Sequence, residues 1–202
     1  GYDVIHGYKT IFPINLGMAS SWDPKSVELA ARVAAEEASS GGVHWTFAPI
    51  VDIARDARWS RVSEGSGEDV FLGSKFAIAN VKGFQGTDLS LNNTILACAK
   101  HFAAYGAAEA GRDYNTVDMS ERVLRETYLT PFKAALDAGV KTFMTSFNEI
   151  SGVPSTANHF LLRDVLKGEW NFDGAVVTDY TGITEMIAHG FAKNEAEAGV
   201  LA

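Results

Sequence analysis

The run Gly174-Ala175-Val176-Val177-Thr178-Asp179-Tyr180 decides how this chain is read. A short apolar stretch bounded by polar residues reads as a buried strand, and this one delivers a carboxylate at its C-terminal end. In parallel α/β folds that end of the sheet is where chemistry is placed. Three earlier segments finish the same way, with polar residues closing an apolar run at Asp52 to Arg61, at Lys100-His101 and at Ser146 to Asn148. One mouth would then collect an Asp, an Arg, a Lys and a His. That set suits gripping a polyhydroxylated molecule beside a nucleophile.

Helices and strands alternate along the rest of the chain. Asp23 reads as an N-cap with Pro24 at the first helical position, and Val27, Ala30, Ala31, Ala34 and Ala38 follow at helical spacing until Gly41-Gly42. Val43 to Ala48 is expected as a strand stopped by Pro49, and Asp69 to Gln85 as a helix. Thr94 to Ala99 follows as a strand. Ser120 caps a helix to Ala138 that Pro131 should kink and Gly139 should end. Val140 to Thr145 is a strand, Asn158 to Trp170 a helix, and Gly174 to Thr178 the last strand. The order βαβαβα selects a parallel sheet with helices outside it, with no hairpin signal to interrupt it. A barrel and a doubly wound open sheet both satisfy this order.

At 202 residues the chain is one domain or most of one, and shorter than the roughly 250 residues of a full eight-unit barrel. It opens on Gly1-Tyr2-Asp3 without a Met and closes on a helix-like Glu195 to Ala202, so it is expected to be a piece of a longer polypeptide. A net charge of −8 without runs of like charge argues against a nucleic-acid or acidic-membrane partner. No apolar run is long enough for a membrane span. Cys98 is the only cysteine, which excludes an internal disulfide and a Cys-based zinc site. Gly65-Ser66-Gly67 lacks the third glycine of a dinucleotide fingerprint and reads as a loop. His6, His44 and His101 match no familiar metal spacing, so neither metal nor cofactor is expected. Asn92-Asn93-Thr94 matches a glycosylation sequon, a pattern common by chance.

Several residues could carry chemistry. Asp179 could be a nucleophile toward a sugar anomeric carbon, a metal ligand, or a cap for the next helix. Lys100 and His101 could both reach the mouth at a frayed strand end, or could point to opposite faces with one in a structural hydrogen bond. A Schiff-base role for Lys100 is a third reading. Asp52, Arg55, Asp56, Arg58, Arg61, Glu64, Glu68 and Asp69 form a mixed-charge stretch, mostly expected as surface ion pairs, with one Arg turned into the mouth. Trp59 among them reads as core or as an apolar sugar platform.

Six blocks carry a resemblance: GYDVIHG (1–7), IFPINLG (11–17), FAPIVDIARDARWSRVSEGSGED (47–69), AKHFAAYG (99–106), YNTVDMS (114–120) and GAVVTDY (174–180). In this order they resemble glycoside hydrolase family 3, in particular its bacterial periplasmic β-glucosidase branch, over nearly the whole chain. The resemblance implies a (β/α)8 TIM-barrel-like N-terminal domain, of which this chain holds only the middle βα units. It implies a retaining, exo-acting glycosidase taking a β-glucoside or oligosaccharide, with a β-xylosidase, or a carbohydrate-binding fragment inactive without the missing domain, as the alternatives, and a periplasmic or secreted location. By position Asp179 matches the nucleophile, and Asp3, Arg61, Lys100, His101, Met144 and Tyr180 match substrate-binding positions. The general acid/base of this branch lies on a following C-terminal domain. Glu64, Glu109 and Glu149 are candidates within the chain that match no family acid/base. Ala57 and Ser60 depart from a Pro and a Gly in the Arg-rich block, and Phe147 stands where many members carry Tyr.

Overall fold

A computed structural model describes residues 1–202. Three strands form the regular part of the sheet: β1 (Cys98–Phe102), β2 (Thr142–Thr145) and, further along the chain, Ala175–Thr178. β2 lies between the other two, and both pairings are parallel. Two irregular segments extend the sheet past β1. Backbone bonds join residues 44–51 to 96–100, and Tyr2 pairs with Thr46, again in parallel. The five segments therefore lie side by side in the order they occur in the chain. A doubly wound sheet reverses its order at a switch point, whereas a barrel does not. The sheet is an arc of a TIM-barrel-like fold, with its helices outside.

Proline 49 does not stop the second segment as its missing N–H suggests. Its carbonyl still accepts Lys100 N–H (3.0 Å), and pairing resumes when Val51 N–H donates to Lys100 O (2.8 Å). The third strand likewise runs to Phe102 rather than ending at Ala99, because Lys100 and Phe102 keep pairing with β2 while His101 bulges between them. The expectation of no hairpin is also corrected. Between β2 and the last strand, β3 (Glu149–Ile150) and β4 (Val153–Pro154) pair antiparallel across Ser151-Gly152. Both turn residues have positive φ, the requirement of a type I′ turn. With these two included, the strand Ala175–Thr178 is β5.

The helices form where local signals place them. The helix Pro24–Ser40 starts at Asp23, whose carboxylate accepts Lys25 and Ser26 N–H. Val70–Gln85 starts at Asp69, which accepts Leu72 N–H at 2.7 Å. The two cross where Gly83 meets Ala31, and a Cβ on Gly83 would lie 2.5 Å from both Ala31 Cβ and Glu28 O. Ser120 caps the next helix through Val123 N–H. That helix runs to Asp137 but widens at Leu124–Tyr128, just before Pro131, whose absent N–H interrupts the ladder. Gly139, at φ +93°, turns the chain out of it. Asn158 caps the segment Phe160–Glu169 through Leu161 N–H.

Alternation along β2 divides the core. Phe143 faces the helices, with its ring against Phe102, Phe132 and Phe172 at centroid distances of 5.6, 6.1 and 4.9 Å. Its neighbours Thr142 and Met144 face the inside of the arc. There Thr142 Oγ1 accepts from Trp45 Nε1 (3.0 Å) and donates to Ala97 O (2.8 Å).

Candidate active site

The C-terminal ends of the parallel segments converge on one cluster of charge. Asp179 follows β5 directly. Its Oδ1 accepts Tyr180 N–H at 2.7 Å, and the helix that follows is led by Thr181 with no side-chain cap. The carboxylate is thus not a helix cap. Its Oδ2 is buried without a hydrogen-bond partner and faces His101 Nε2 at 3.4 Å and Arg61 Nη1 at 3.9 Å. His101 Nε2 is also unpartnered, so the two atoms lie side by side without bonding to each other. Both are free to engage a third group.

Each neighbour of Asp179 is held from behind. At Lys100 and His101 the pairing of β1 with β2 shifts by one residue, and the Lys100–His101 peptide is cis. Both side chains reach the mouth, so the reading that sends one away is set aside. Lys100 Nζ bonds Asp3 Oδ1 at 2.8 Å, with the lysine side chain 5% exposed and the aspartate 59%. His101 donates its backbone N–H to Asp52 Oδ2 (3.0 Å), and its Nδ1 lies 2.8 Å from the same oxygen. Arg61 makes a two-pronged pair with Glu64, at 2.8 and 3.0 Å. Beneath them the buried Tyr105 ring stands edge-on to His101 (5.3 Å) and Trp59 (5.3 Å), with the Arg61 guanidinium 5.7 Å above it.

Burial and charge tune these groups. Burial pushes the Asp52 carboxyl up to about 7, opposed by the His101 backbone N–H and by Arg61 and Lys100. Burial, then the cations Arg61 and Lys100, holds the His101 imidazole well below its ordinary value. For Arg61, burial opposes the charge, but the pairing with Glu64 and the nearness of Asp52 raise the group above its usual range. Burial likewise raises the Tyr105 phenol, with Asp113 adding to it.

The other residues singled out in the sequence differ in burial and in partners. Met144 is buried on the inner face of β2, and Tyr180 is 84% exposed beside Asp179. Trp59 is core, 1% exposed, and its Nε1 donates to Asp113 (3.0 Å). Ser60, departing from glycine, donates its hydroxyl to the same carboxylate and helps pin the loop. The surface-pair expectation holds for Arg58 with Asp56 but fails for Asp52, which is 2% exposed. Asp52 was readable as the one charge inside the apolar run Ile50-Val51-Asp52-Ile53-Ala54. Of the carboxylates weighed as an acid/base, Glu64 is held by Arg61, Glu149 accepts from Thr116 Oγ1 (2.8 Å), and Glu109 lies on an exposed turn. No group of three or more metal-ligating side chains comes together, and His6 is engaged with Phe12 O at 2.8 Å.

The fold and site define a class: a TIM-barrel-like arc presenting a carboxylate among cationic and hydrogen-bonding groups at its C-terminal mouth. All 202 residues match the model of the glycosyl hydrolase family 3 N terminal domain. A periplasmic beta-glucosidase of Salmonella typhimurium is 47% identical over 98% of this chain and 26% of its own length. A beta-xylosidase of Formosa agariphila is 39% identical over 97% of this chain and 28% of its own. The crystal structure of a beta-glucosidase from Listeria innocua in complex with glucose superimposes with a TM-score of 0.95 at 49% identity, over 98% of this chain and 28% of that one. The chain belongs to glycoside hydrolase family 3, and it spans about a quarter of the length of these relatives.

Proposed function

We propose that the whole protein is a retaining, exo-acting β-glucosidase and that Asp179 is its nucleophile. The observation that carries this reading is the unpartnered Asp179 Oδ2, buried and held beside His101 Nε2 and Arg61 Nη1. A free carboxylate oxygen among donors can attack an anomeric carbon while the donors hold the sugar's hydroxyls. In the first step Oδ2 bonds to C1 as the C1–O bond to the aglycone breaks, and the aglycone oxygen takes a proton from the general acid. In the second step water attacks C1, gives its proton to the same group, and the C1–Oδ2 bond breaks. Two inversions leave the configuration unchanged.

Arg61, Lys100, His101 and Asp3 are assigned to the hydroxyls of the terminal sugar, with Met144 and Tyr180 lining the pocket. Interactions with hydroxyls remote from C1 supply binding energy that orients the reacting bond. The acid/base is assigned to the part of the relatives' length that this chain does not span. Glucose is placed ahead of xylose because the glucosidases of Salmonella typhimurium and Listeria innocua are more similar to this chain than the xylosidase of Formosa agariphila, and the Listeria enzyme is solved with glucose. The relative from Salmonella typhimurium supports a periplasmic or secreted location, and no helix is long and apolar enough to cross a membrane. Asp179→Asn in the whole protein should abolish turnover of aryl β-glucosides while the circular dichroism spectrum stays unchanged. Near-normal turnover by that variant would sink the assignment.

A further inference from the structure

His101 meets Asp179 through one ring nitrogen, and everything that fixes the other comes from a residue 49 positions earlier in the chain. Asp52 holds both the backbone N–H and Nδ1 of His101 on a single oxygen, Oδ2. Its other oxygen, Oδ1, is buried without a partner. A purely structural acceptor here needs no charge: a neutral amide oxygen would take the same two bonds without the cost of a desolvated carboxylate. The carboxylate differs from an amide in one respect, since it can also hold a proton against Nδ1.

We infer that Asp52 is a positioning residue that works through His101, fixing the ring and deciding whether Nε2 donates toward Asp179 and a sugar hydroxyl or only accepts. This inference rests on the glycosidase reading of the site. When the Asp52–His101 pair shares an additional proton, Nδ1 and Nε2 can both carry hydrogen, and Nε2–H is available to a hydroxyl placed beside Asp179 Oδ2. When that proton leaves to solvent, Nδ1–H remains on Asp52. Nε2 then presents a lone pair to a carboxylate oxygen 3.4 Å away. Two acceptors face each other there, and a hydroxyl loses its donor.

Other charges face this pair from every side. Arg61 and Glu64 stand on the loop after Asp52, and Lys100 on β1 with Asp3 behind it. Tyr105 lies on the turn after β1, with Asp113 beside it, and Asp179 follows β5. Arg61 and Lys100 favour loss of the shared proton, whereas Asp179 and Glu64 favour keeping it. Burial lifts the Asp52 carboxyl to about 7, so the shared proton is expected to leave near neutral pH.

The test pairs kinetics with spectroscopy on the whole protein. kcat/KM for an aryl β-glucoside is measured against pH for the wild type and Asp52→Asn. The 15N shifts of His101 are followed over the same range, assigned by loss of the signal in His101→Gln. The wild type should lose kcat/KM on a basic limb near neutrality, in step with conversion of His101 Nε2 from protonated to bare. Asp52→Asn should lower the maximum about 10–100-fold, the scale of one hydrogen bond to a charged group, and should abolish that limb. A variant with the wild-type profile would overturn the inference. So would a wild-type His101 whose Nε2 keeps one protonation state across the range, a result that stands even if Asp52→Asn does not fold. A protein that hydrolyses no β-glucoside while His101 titrates as described would refute the glycosidase reading and leave the role of Asp52 toward His101 standing.

Discussion

The Lys100–Asp3 pair joins two very differently exposed charges, and this asymmetry gives a quantitative expectation. The ammonium is 5% exposed and the carboxylate 59%, at 2.8 Å. Replacing Lys100 with Met keeps most of the buried hydrocarbon volume and strands only Asp3, which water can solvate. Attraction lost and desolvation regained nearly cancel, so stability should change by less than about 1 kcal/mol. Replacing Asp3 with Ala instead leaves a buried ammonium without its partner. Stranding a buried charge costs about 3–5 kcal/mol. The exposure of the Asp3 side places this case at the lower end, about 3 kcal/mol. Activity should divide differently, because both residues are assigned to the sugar. Each variant should lose about 10–150-fold in kcat/KM, the equivalent of one charged hydrogen bond of about 1.5–3 kcal/mol. Thermal unfolding of both variants and of the double variant, with kinetics on an aryl β-glucoside, tests the reasoning. If Lys100→Met unfolds at a lower temperature than Asp3→Ala, the burial argument is wrong.

Two further outcomes follow from the packing and the charges. Gly83→Ala should destabilise by about 1–2 kcal/mol by thermal unfolding, because overpacking at Ala31 and Glu28 outweighs a helix-propensity gain of about 1 kcal/mol. The pH dependence of stability contains two opposed contributions. Folded Asp52 keeps a proton up to about pH 7 that the unfolded chain releases near 4, so its contribution falls as pH rises through that window. Buried His101 refuses a proton that the unfolded ring takes below about 6.5, so its contribution rises with pH up to that point. Asp52→Asn keeps only the His101 contribution, and its melting temperature should rise more steeply between pH 5 and 6.5 than that of the wild type.

What could be read in advance was local in origin. Asp23, Asp69, Ser120 and Asn158 are caps whose partners lie two or three residues away, so the helix starts follow from neighbouring residues. The apolar runs gave the parallel order for the same reason. The hairpin at Ser151-Gly152 is local too, but strands of two residues carry almost no periodicity. The extension of β1 through Lys100 and His101 was not local. Polar residues read as the end of a strand, and only Asp3 and Asp52, 97 and 49 residues away, make their burial tolerable. Glu64 shows the same limit, since its sequence admitted a catalytic acid and the structure places both its oxygens on Arg61. The sequential lateral order that separates a barrel from a doubly wound sheet rests on inter-strand bonds such as Thr46 to Leu96.

The central claim is that Asp179 attacks the anomeric carbon. The most direct measurement is to incubate the whole protein with a 2-deoxy-2-fluoro-β-glucoside, which slows release of the glycosyl-enzyme, and to map the labelled peptide by mass spectrometry. The account predicts one fluoroglucosyl group on Asp179, within the peptide that contains Val176-Val177-Thr178-Asp179-Tyr180. A label on any other carboxylate, or inactivation without a covalent adduct, would contradict it.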